Sequence, residues 1–524
     1  MTSLDRRSAL RLGALGAGGA LLAACGGAEG SEGRASGFVL PDGPQVRAAE
    51  QARRKGTVRD VRLVPSEGPV DLGGPTVRTW TYDGRLPGAE IRVKVGEVVR
   101  ARVTNRLPAE TSVHWHGLAL RNDADGVPGV TQAPIEPGAD YEYRFAVAHP
   151  GTYWFHPHLG LQLDRGLYAP FIVEDPNEPL RYDAEWTVVL DDWLDGVTGT
   201  PDDVLAELRK GMGGMHGGHG GGGSGDGGGM DMPGMDMGGQ RSVPSPKTGG
   251  HILMGATSDL LGGDAGDVRY PHFLINGRVA TAPTTFRAKP GDRVRIRFIN
   301  AGGDTAFRVA LGGHRMTVTH TDGFPVRPTP TDALLIGMGE RYDVLVTAGD
   351  GAFPLTALAE GKKATALAVL RTSAGASVPS AGVRPAELQR KIVRYADLRP
   401  ADQVRLPDRR PDRTIRLELT GGMMKYDWAI NGRPYRADDL YGVRSGERVR
   451  LSFVNRTTMW HPMHLHGHTF ALTGTGLRKD TAIVRPGTTV EADFDADNPG
   501  RWMLHCHNIY HSESGMMTLV GYRR

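Results

Sequence analysis

The segment near the C-terminus that reads RWMLHCHNIYHSESGMM constrains the fold and chemistry of this chain more than any other. It places His505, Cys506 and His507 in consecutive positions, with His511 five residues and Met516 ten residues after the cysteine. A thiolate, two imidazoles and a weakly bound thioether are the ligands of a blue copper electron-transfer site. Because successive side chains of a strand point to opposite faces, Cys506 can bind one metal while its two neighbours serve another. The segment therefore predicts two metal sites joined by a few covalent bonds.

Three further segments carry histidines at a spacing typical of metal ligands. Alternate residues of a strand share one face, so a His-x-His pair can present two imidazoles to one site. A lone pair of this kind would be interpreted as core histidines, but four such segments, one with a cysteine, indicate bound metal. The histidines are His114 and His116 in HWHG, His156 and His158 in HPHLG, and His461, His464 and His466 in HPMHLHGH.

These segments resemble the four copper signatures of the multicopper oxidases, the family of laccases, cuprous oxidases and bilirubin oxidases. The resemblance covers most of the chain from about Thr57 onward. It implies an all-β fold of three consecutive cupredoxin-like Greek-key β-sandwich domains. It also implies four copper ions and O2 as a partner: four one-electron oxidations at a type 1 copper would reduce O2 to two waters at a trinuclear cluster.

A repeated unit supports three domains. A Gly-Arg turn, then a second glycine, an alternating strand and an asparagine nine residues after that glycine occur three times, over 84–105, 277–300 and 432–455. The first and third copies also share a later Pro-Gly segment in which Pro157 stands where Cys506 stands, so domain 1 lacks the thiolate. The middle copy has no paired histidines. We therefore expect a copper-free middle domain, with domains 1 and 3 pooling their histidines.

The chain of 524 residues is too long for one core and divides as follows. We expect a lipoprotein-type signal peptide at 1–25, a flexible tether at 26–55, cupredoxin domain 1 at 56–180, cupredoxin domain 2 at 181–375, a linker at 376–410 and cupredoxin domain 3 at 411–524. A Met/His/Gly-rich loop at 211–240 interrupts domain 2, and the residues before it, 201–210, predict a short helix.

The family resemblance assigns a role to each ligand. It implies a type 1 copper held by His461, Cys506 and His511 with Met516 as the axial ligand, and a type 2 copper held by His114 and His464. A thioether in the axial position predicts a low-to-middling redox potential within the family. The implied ligands of the type 3 pair are His116, His156, His158, His466, His505 and His507.

Reduction of O2 consumes protons, so two carboxylates are candidate proton donors. Asp125, in DGVPG, lies eleven residues after His114, where similar enzymes keep an acidic residue beside the type 2 site; the alternative is an ordinary Asp-Gly turn. Glu513 follows His511 by two residues, as in fungal laccases, whereas many bacterial relatives have the glutamate one residue earlier, where this chain has Ser512.

The loop at 211–240 concentrates soft ligands in a glycine-rich context that cannot bury a core. Thioethers select Cu(I), so we interpret the loop as a Cu(I)-capture segment; the alternative is a flexible loop with incidental methionines. Met459, two residues before His461, matches a residue that cuprous oxidases use for the substrate copper, although their partner aspartate is replaced here by Thr457. The capture residues we predict are Met212, Met215, His216, His219, Met230, Met232, Met235, Met237 and Met459.

The remaining features concern export. Paired arginines, Arg6 and Arg7, precede a short apolar run that ends in Leu-Ala-Ala-Cys25, which resembles a bacterial lipobox. We expect export by the twin-arginine route and a lipid anchor at Cys25, at the outer face of the cell membrane or in the periplasm. Cys25 and Cys506 are the only cysteines, so no disulfide framework is expected. A net charge of +3 indicates no nucleic-acid partner, and we expect a monomer.

Three functions remain open at this point. One is a cuprous oxidase that confers copper tolerance, with oxidation of phenols as an additional or shared activity. The second is a laccase-like phenol oxidase without a role in copper defence. The third is a copper-storing or structural cupredoxin protein without turnover, which the complete ligand set argues against. The third repeat excludes a two-domain nitrite reductase.

Overall fold

The three sequence repeats form three equivalent pairs of parallel strands. The computed structural model describes residues 37–53, 56–211 and 250–524. In each domain the strand after the repeated glycine pairs with the domain's first strand. The predicted alternation of burial is seen in the first copy, whereas in the second copy the intervening Arg295 and Arg297 are buried as well. The pairs are β1 (Val58–Leu63) with β5 (Val98–Thr104), β10 (Ala184–Trp193) with β16 (Arg293–Asn300), and β25 (Arg413–Thr420) with β28 (Arg448–Asn455).

An asparagine ends each repeat and makes the same hydrogen bonds in all three domains. Its side-chain amide donates to two backbone carbonyls, and its Oδ1 accepts from the backbone N–H two residues later. Buried carbonyls outside the strand ladders need such donors, which gives a physical reason for the repeated asparagine. Asn105 donates to Ala109 and Ile135, Asn300 to Thr305 and Ile336, and Asn455 to Met459 and Val484.

Domain 1 is built from two sheets and a hairpin. Its sheets have the strand orders β1-β5-β7 and β4-β9-β8-β6, and β2 pairs with β3. Trp115 and Phe155, on neighbouring strands, are fully buried in the core. Besides β1 and β5, its strands are β2 (Pro65–Asp71), β3 (Thr76–Tyr82), β4 (Ile91–Lys94), β6 (His114–His116), β7 (Asp140–Ala146), β8 (Gly151–His156) and β9 (Ala169–Glu174).

Domain 2 has the largest sheets, with the orders β14-β13-β10-β16-β21-β18-β19 and β15-β23-β22-β17-β20-β24. A separate two-stranded sheet pairs β11 with β12. Besides β10 and β16, the strands are β11 (Thr257–Ser258), β12 (Gly263–Asp264), β13 (His272–Ile275), β14 (Arg278–Val279), β15 (Thr284–Arg287), β17 (Phe307–Leu311), β18 (Met316–Thr321), β19 (Phe324–Thr331), β20 (Ala333–Ile336), β21 (Arg341–Thr347), β22 (Ala352–Ala359), β23 (Ala364–Arg371) and β24 (Ile392–Val393). The last of these lies in 376–410, the expected linker, and extends the second sheet.

Domain 3 completes the all-β architecture with two sheets, β26-β25-β28-β33-β30-β31 and β27-β35-β34-β29-β32. The second sheet carries the two histidine-rich segments on adjacent strands. Besides β25 and β28, the strands are β26 (Ala429–Ile430), β27 (Leu440–Val443), β29 (His461–Leu465), β30 (Phe470–Leu472), β31 (Arg478–Lys479), β32 (Thr481–Val484), β33 (Thr489–Asp495), β34 (Arg501–Cys506) and β35 (Met517–Tyr522).

The predicted flexible tether is wrong for its C-terminal half. Helix α1 (Pro44–Arg53) packs against the folded body, with Val46 and Glu50 buried. Glu50 accepts a hydrogen bond of 2.9 Å from the backbone N–H of Ala146. Arg53 donates to the side chain of Asn498 at 3.0 Å. The composition of 26–55 is mostly polar, and the hydrogen bonds that join this helix to domains 1 and 3 are made by the polar side chains of Glu50 and Arg53, so composition alone does not predict the helix.

Two more α-helices lie in the described chain. Helix α2 (Pro201–Arg209) confirms the short helix predicted before the Met/His/Gly-rich loop, and Thr200 caps it through a reciprocal capping box with Asp203. Helix α3 (Ile509–Ser514) begins just after β34, with Asn508 as its N-cap. None of the helices in the described residues is long and apolar enough to cross a membrane.

Candidate metal centre

The C-terminal segment brings a thiolate and two imidazoles together. Strand β29 places His461 beside β34, which carries Cys506, and α3 returns His511 to the same point. Cys506 Sγ lies 3.7 Å from Nδ1 of His461 and 3.7 Å from Nδ1 of His511, and these two nitrogens are 3.1 Å apart. Met516 is fully buried, and its backbone carbonyl accepts from Cys506 N–H at 3.0 Å.

Hydrogen bonds orient both imidazoles with Nδ1 toward the sulfur. Nε2 of His461 donates to the hydroxyl of Thr457 at 2.8 Å, and this hydroxyl donates in turn to Asn455. Nε2 of His511 donates to the carboxylate of Asp267 at 2.9 Å. With the proton on Nε2, the lone pair on each Nδ1 is free to bind a metal. Sequence reasoning missed Asp267 because it lies 244 residues before His511.

Burial raises the pKa of the Cys506 thiol, so the metal-free site holds a neutral thiol. Burial likewise lowers the pKa of His461 well below its ordinary value. A soft cation that binds the sulfur would displace its proton, and neutral imidazoles are strong ligands for copper. The buried donor set of one thiol and two imidazoles fits a copper ion.

A second cluster combines histidines from domains 1 and 3. In β6 and β8 His114 lies opposite His156, and in β29 and β34 His464 lies opposite His505. Nε2 of His505 is 3.2 Å from Nε2 of His466 and 3.3 Å from Nε2 of His158. The structure brings all eight predicted histidines of the cluster together: His114, His116, His156, His158, His464, His466, His505 and His507.

In six of these histidines, one ring nitrogen makes a hydrogen bond to an oxygen at the edge of the cluster, which leaves the other ring nitrogen able to bind a metal. Donation from one ring nitrogen to an oxygen fixes the tautomer and the direction of the other. The donors and acceptors are His114 Nδ1 to Asp125 O at 2.9 Å, His156 Nδ1 to Pro157 O at 2.8 Å, His464 Nδ1 to Asp480 O at 3.0 Å, His466 Nδ1 to Asp125 Oδ2 at 2.9 Å, His505 Nδ1 to Cys506 O at 2.8 Å, and His116 Nε2 to Asp480 Oδ1 at 3.2 Å.

Several ring nitrogens of this cluster have no hydrogen-bond partner, and they indicate whether metal ions fit the site. Buried polar atoms ordinarily have a hydrogen-bond partner, so a set of orphaned ring nitrogens facing one another requires an explanation. Burial lowers the pKa of most of these histidines, which keeps the imidazoles neutral and able to donate a lone pair. Copper ions fit this arrangement. Among the described residues, the buried ring nitrogens of this cluster without a hydrogen-bond partner are His114 Nε2, His116 Nδ1, His156 Nε2, His464 Nε2 and both nitrogens of His507.

Asp480 is the main residue of this cluster that sequence reasoning missed. Its carboxylate accepts from His116, and both of its oxygens accept from Arg341, at 2.7 and 2.6 Å. Burial alone would raise the pKa of Asp480, but the Arg341 charge and these hydrogen bonds hold it well below its usual value. A carboxylate of domain 3, paired with Arg341 of domain 2, therefore faces the cluster. The sequence feature that could have indicated Asp480 is its position sixteen residues after His464.

The two predicted proton donors lie on different sides of the cluster. Asp125 is buried and its side chain faces His466, as described above. Glu513, on α3, is partly exposed and lines a narrow cleft of about 20 Å³ with His158, His505 and His507. Burial raises the pKa of Glu513, and the nearby Arg209 opposes this. The geometry gives Glu513 access to both the cluster and the outside.

The predicted Cu(I)-capture residues fall mostly outside the described chain. Met212, Met215, His216, His219, Met230, Met232, Met235 and Met237 all lie in 212–249, which the structure does not describe. Met459 is described and is 1% exposed, with its backbone paired to Asp264 of domain 2.

Comparisons with known proteins agree with this geometry. The family described as multicopper oxidase matches residues 66–178, 256–375 and 408–523. The chain is similar to the multicopper oxidase MmcO of Mycobacterium tuberculosis, with 48% identity over 99% of this chain and 98% of that protein. It is 31% identical to a copper resistance protein A homolog of Pseudomonas syringae pv. tomato, over 87% and 91% of the two chains. The crystal structure of a laccase from Botrytis aclada superposes with a TM-score of 0.70 at 25% identity, covering 89% and 88% of the two chains.

Proposed function

The chain belongs to the multicopper oxidase family of oxidoreductases, and from this premise we propose that it holds four copper ions and passes electrons from a reducing substrate to O2. His461, Cys506, His511 and Met516 would hold the type 1 copper, and His114 and His464 the type 2 copper. When bound, the copper ions supply the one-electron redox chemistry that reduces O2 to two waters. The type 3 pair would be held by His116, His156, His158, His466, His505 and His507.

The observation that carries this proposal is the pair of neighbouring buried donor sets. His461, Cys506 and His511 have ligand atoms within 4.8 Å of one another, as do the groups within the histidine cluster. Cys506 is covalently joined to His505 and His507, which belong to that cluster. The backbone of β34 therefore links the two sites, and burial lowers the pKa of His461 and of most of the cluster histidines.

For the substrate, burial of the thiolate site favours a metal ion over a phenol. His511 and Asp267 are both completely buried, and Trp428 and Tyr426 pack over them with ring centroids 4.3 and 6.3 Å from that of His511. A phenol that gives up an electron directly would need to approach the His511 ring. The loop that carries Tyr426 and Trp428 occupies this approach, so we propose Cu(I) as the main substrate and phenols as secondary ones.

Two exposed methionines support the same substrate. Met254 and Met424 are 58% and 60% exposed, and thioethers are soft ligands that select Cu(I). Gly211, the last described residue before the segment 212–249, lies against the backbone of Met424, and Met254 comes soon after that segment. Arg209 donates to the backbone carbonyl of Glu513 on α3 at 2.9 Å. Exposed thioethers thus lie close in sequence or in space to the described residues on either side of 212–249, and Arg209 joins α2 to the helix that carries His511.

The test is steady-state oxygen consumption with Cu(I) and with a dimethoxyphenol. Three proteins are compared: the intact chain, a variant lacking 212–239, and a variant of full length with the loop's six methionines and two histidines replaced by serine. We expect both variants to lose most Cu(I) turnover while phenol turnover holds or rises. Unchanged Cu(I) turnover in both variants would refute capture by the loop.

A laccase-like phenol oxidase is the second candidate, favoured by the structural similarity to the Botrytis aclada laccase. It predicts that neither activity depends on the loop. A copper-storing or structural protein without turnover is a remote third candidate, and it predicts copper-dependent absorption with no oxygen consumption. The relatives include a copper resistance protein A homolog, which agrees with copper tolerance as the role.

We also propose where the protein acts. The paired arginines Arg6 and Arg7 and the lipobox-like segment ending at Cys25 support export by the twin-arginine route and a lipid anchor. The protein would then be a monomer anchored at the outer face of the cell membrane or in the periplasm. Globomycin-sensitive processing and labelling by a palmitate analogue, lost in Cys25→Ser, would test the anchor.

A further inference from the structure

Three buried carboxylates from other domains bind the short segment between the two metal sites. Asn508 donates to Asp304 at 2.7 Å, Tyr510 donates to Asp164 at 2.5 Å, and His511 donates to Asp267 at 2.9 Å. We call Asp164, Asp267 and Asp304 the carboxylate cradle. The first belongs to domain 1 and the other two belong to domain 2.

The cradle is itself held firmly. Asp304 accepts from Lys362 at 2.6 Å and from the backbone N–H of Asp267 at 3.2 and 3.1 Å. The hydroxyl of Tyr270 lies 3.3 Å from both oxygens of Asp164. All three carboxylates are at most 2% exposed. The segment that they bind has therefore little freedom to move relative to domains 1 and 2.

Helix α3 needs such external contacts because it is short. It has six residues, and helices of this length are unstable without packing. Its first turn carries Tyr510, whose hydroxyl lies at the end of a long and rigid side chain and is fully buried. A rotation of α3 that moved the His511 imidazole would break the bond from Tyr510 to Asp164 and leave a buried carboxylate short of a donor, which is unfavourable.

We propose that Asp164 and Tyr510 are positioning residues for the thiolate copper site. Their hydrogen bond fixes the orientation of α3 and thereby the direction of His511 relative to Cys506, so that packing of domain 1 sets the geometry of a site in domain 3. This inference rests on the proposed function, which assigns these ligands to a type 1 copper. Neither residue is a candidate metal ligand, and neither has a role in the ligand assignment above.

The test compares Tyr510→Phe with Tyr168→Phe in the copper-loaded enzyme. Tyr168 is a matched control, because its hydroxyl donates a hydrogen bond of the same 2.5 Å length to Asp191, a buried carboxylate outside the cradle. Four quantities are measured at equal copper content: the thiolate-to-copper absorption band, the copper hyperfine splitting, the type 1 reduction potential, and kcat against KM. The melting temperature of each protein is recorded beside them.

We expect Tyr510→Phe to shift the absorption band, the hyperfine splitting and the potential, and to lower kcat about tenfold with KM little changed, since small misplacements in a preorganised site cost this much or more. Tyr168→Phe should lower the melting temperature while leaving the spectra and potential unchanged. Asp164→Asn keeps an acceptor oxygen for Tyr510, so its spectral shift should be smaller than that of Asp164→Ala.

Two outcomes would overturn the proposal. One is a Tyr510→Phe enzyme with reduced stability but unchanged spectra and potential. The other is a similar spectral shift in Tyr168→Phe, which would mean that any loss of buried packing perturbs the site. Failure of the proposed function is recognised separately, because the parent protein would then lack a thiolate-to-copper absorption band altogether.

Discussion

Asp125 orients two histidines of the cluster at once: its carboxylate accepts from Nδ1 of His466 at 2.9 Å, and its backbone carbonyl accepts from Nδ1 of His114 at 2.9 Å. His114 comes from domain 1 and His466 from domain 3. The residue predicted as a proton donor therefore also has a structural role, because it fixes the tautomers of two imidazoles across the domain interface.

The first prediction separates these two roles. Asp125→Asn keeps the carbonyl bond to His114 and an acceptor oxygen for His466, but removes the charge and the exchangeable proton. We expect kcat for oxygen consumption to fall by roughly 10- to 100-fold with every substrate. Anaerobic reduction of the thiolate copper, followed by its absorption, should keep its rate. A slower anaerobic reduction would place the effect of Asp125 at the thiolate site instead.

The second prediction concerns Glu513 and pH. Burial raises the pKa of its carboxyl, so the group stays protonated, and able to donate a proton, to a higher pH than an exposed glutamate. As the pH rises through this pKa, the protonated fraction and the turnover should fall together. Glu513→Gln should lower kcat and remove this limb of the pH–kcat profile. An unchanged profile would exclude Glu513 as a proton donor.

The structure brings the predicted ligands together, and the His-x-His pairs among them could be recognised from the sequence because their spacing follows the two-residue period of a strand, which is a local property. The same reasoning missed Asp267 and Asp480, since each reaches its histidine only through tertiary packing and each looks like an ordinary aspartate in its own segment. It also misread α1, where Val46 and a buried Glu50 dock a helix in a segment of polar composition. The three-domain architecture was predictable because the repeated glycine and asparagine have the same structural task in each copy.

The third prediction uses that repeated asparagine. Asn300→Ala removes donors to the buried carbonyls of Thr305 and Ile336, and should lower the free energy of unfolding by roughly 2–4 kcal/mol. Asn455→Ala should cost a similar amount. Because Asn455 also supports Thr457 beside His461, only Asn455→Ala should alter the thiolate-to-copper absorption. If the two variants had the same thiolate-to-copper absorption, Thr457 would orient His461 without its hydrogen bonds to Asn455.

The fourth prediction concerns stability against pH. Burial raises the pKa of Asp195 to about 6, against the opposing hydrogen bond from Thr79. The folded state binds this proton more tightly than the unfolded state, so folding is favoured at low pH and loses this contribution as the pH rises from about 4 to about 6. Asp195→Asn should therefore become more stable relative to the parent across this window, by up to about 3 kcal/mol. Denaturant unfolding at pH 4, 5, 6 and 7 measures the difference; a constant difference would contradict the prediction.

The last prediction tests the exposed methionines apart from the loop. The double variant Met254→Ser/Met424→Ser removes the two exposed thioethers near the loop. It should raise KM for Cu(I) several-fold and leave KM for a phenol constant, because only a soft metal ion binds the sulfur. Val378→Ser is the matched control, since Val378 is also an exposed apolar residue at 53%. Replacement of both methionines by leucine preserves apolar bulk without the thioether, and should match the serine variant for Cu(I). An unchanged KM for Cu(I) in the leucine variant would contradict the prediction, because it would show that the apolar side chains at positions 254 and 424 matter and their sulfur atoms do not.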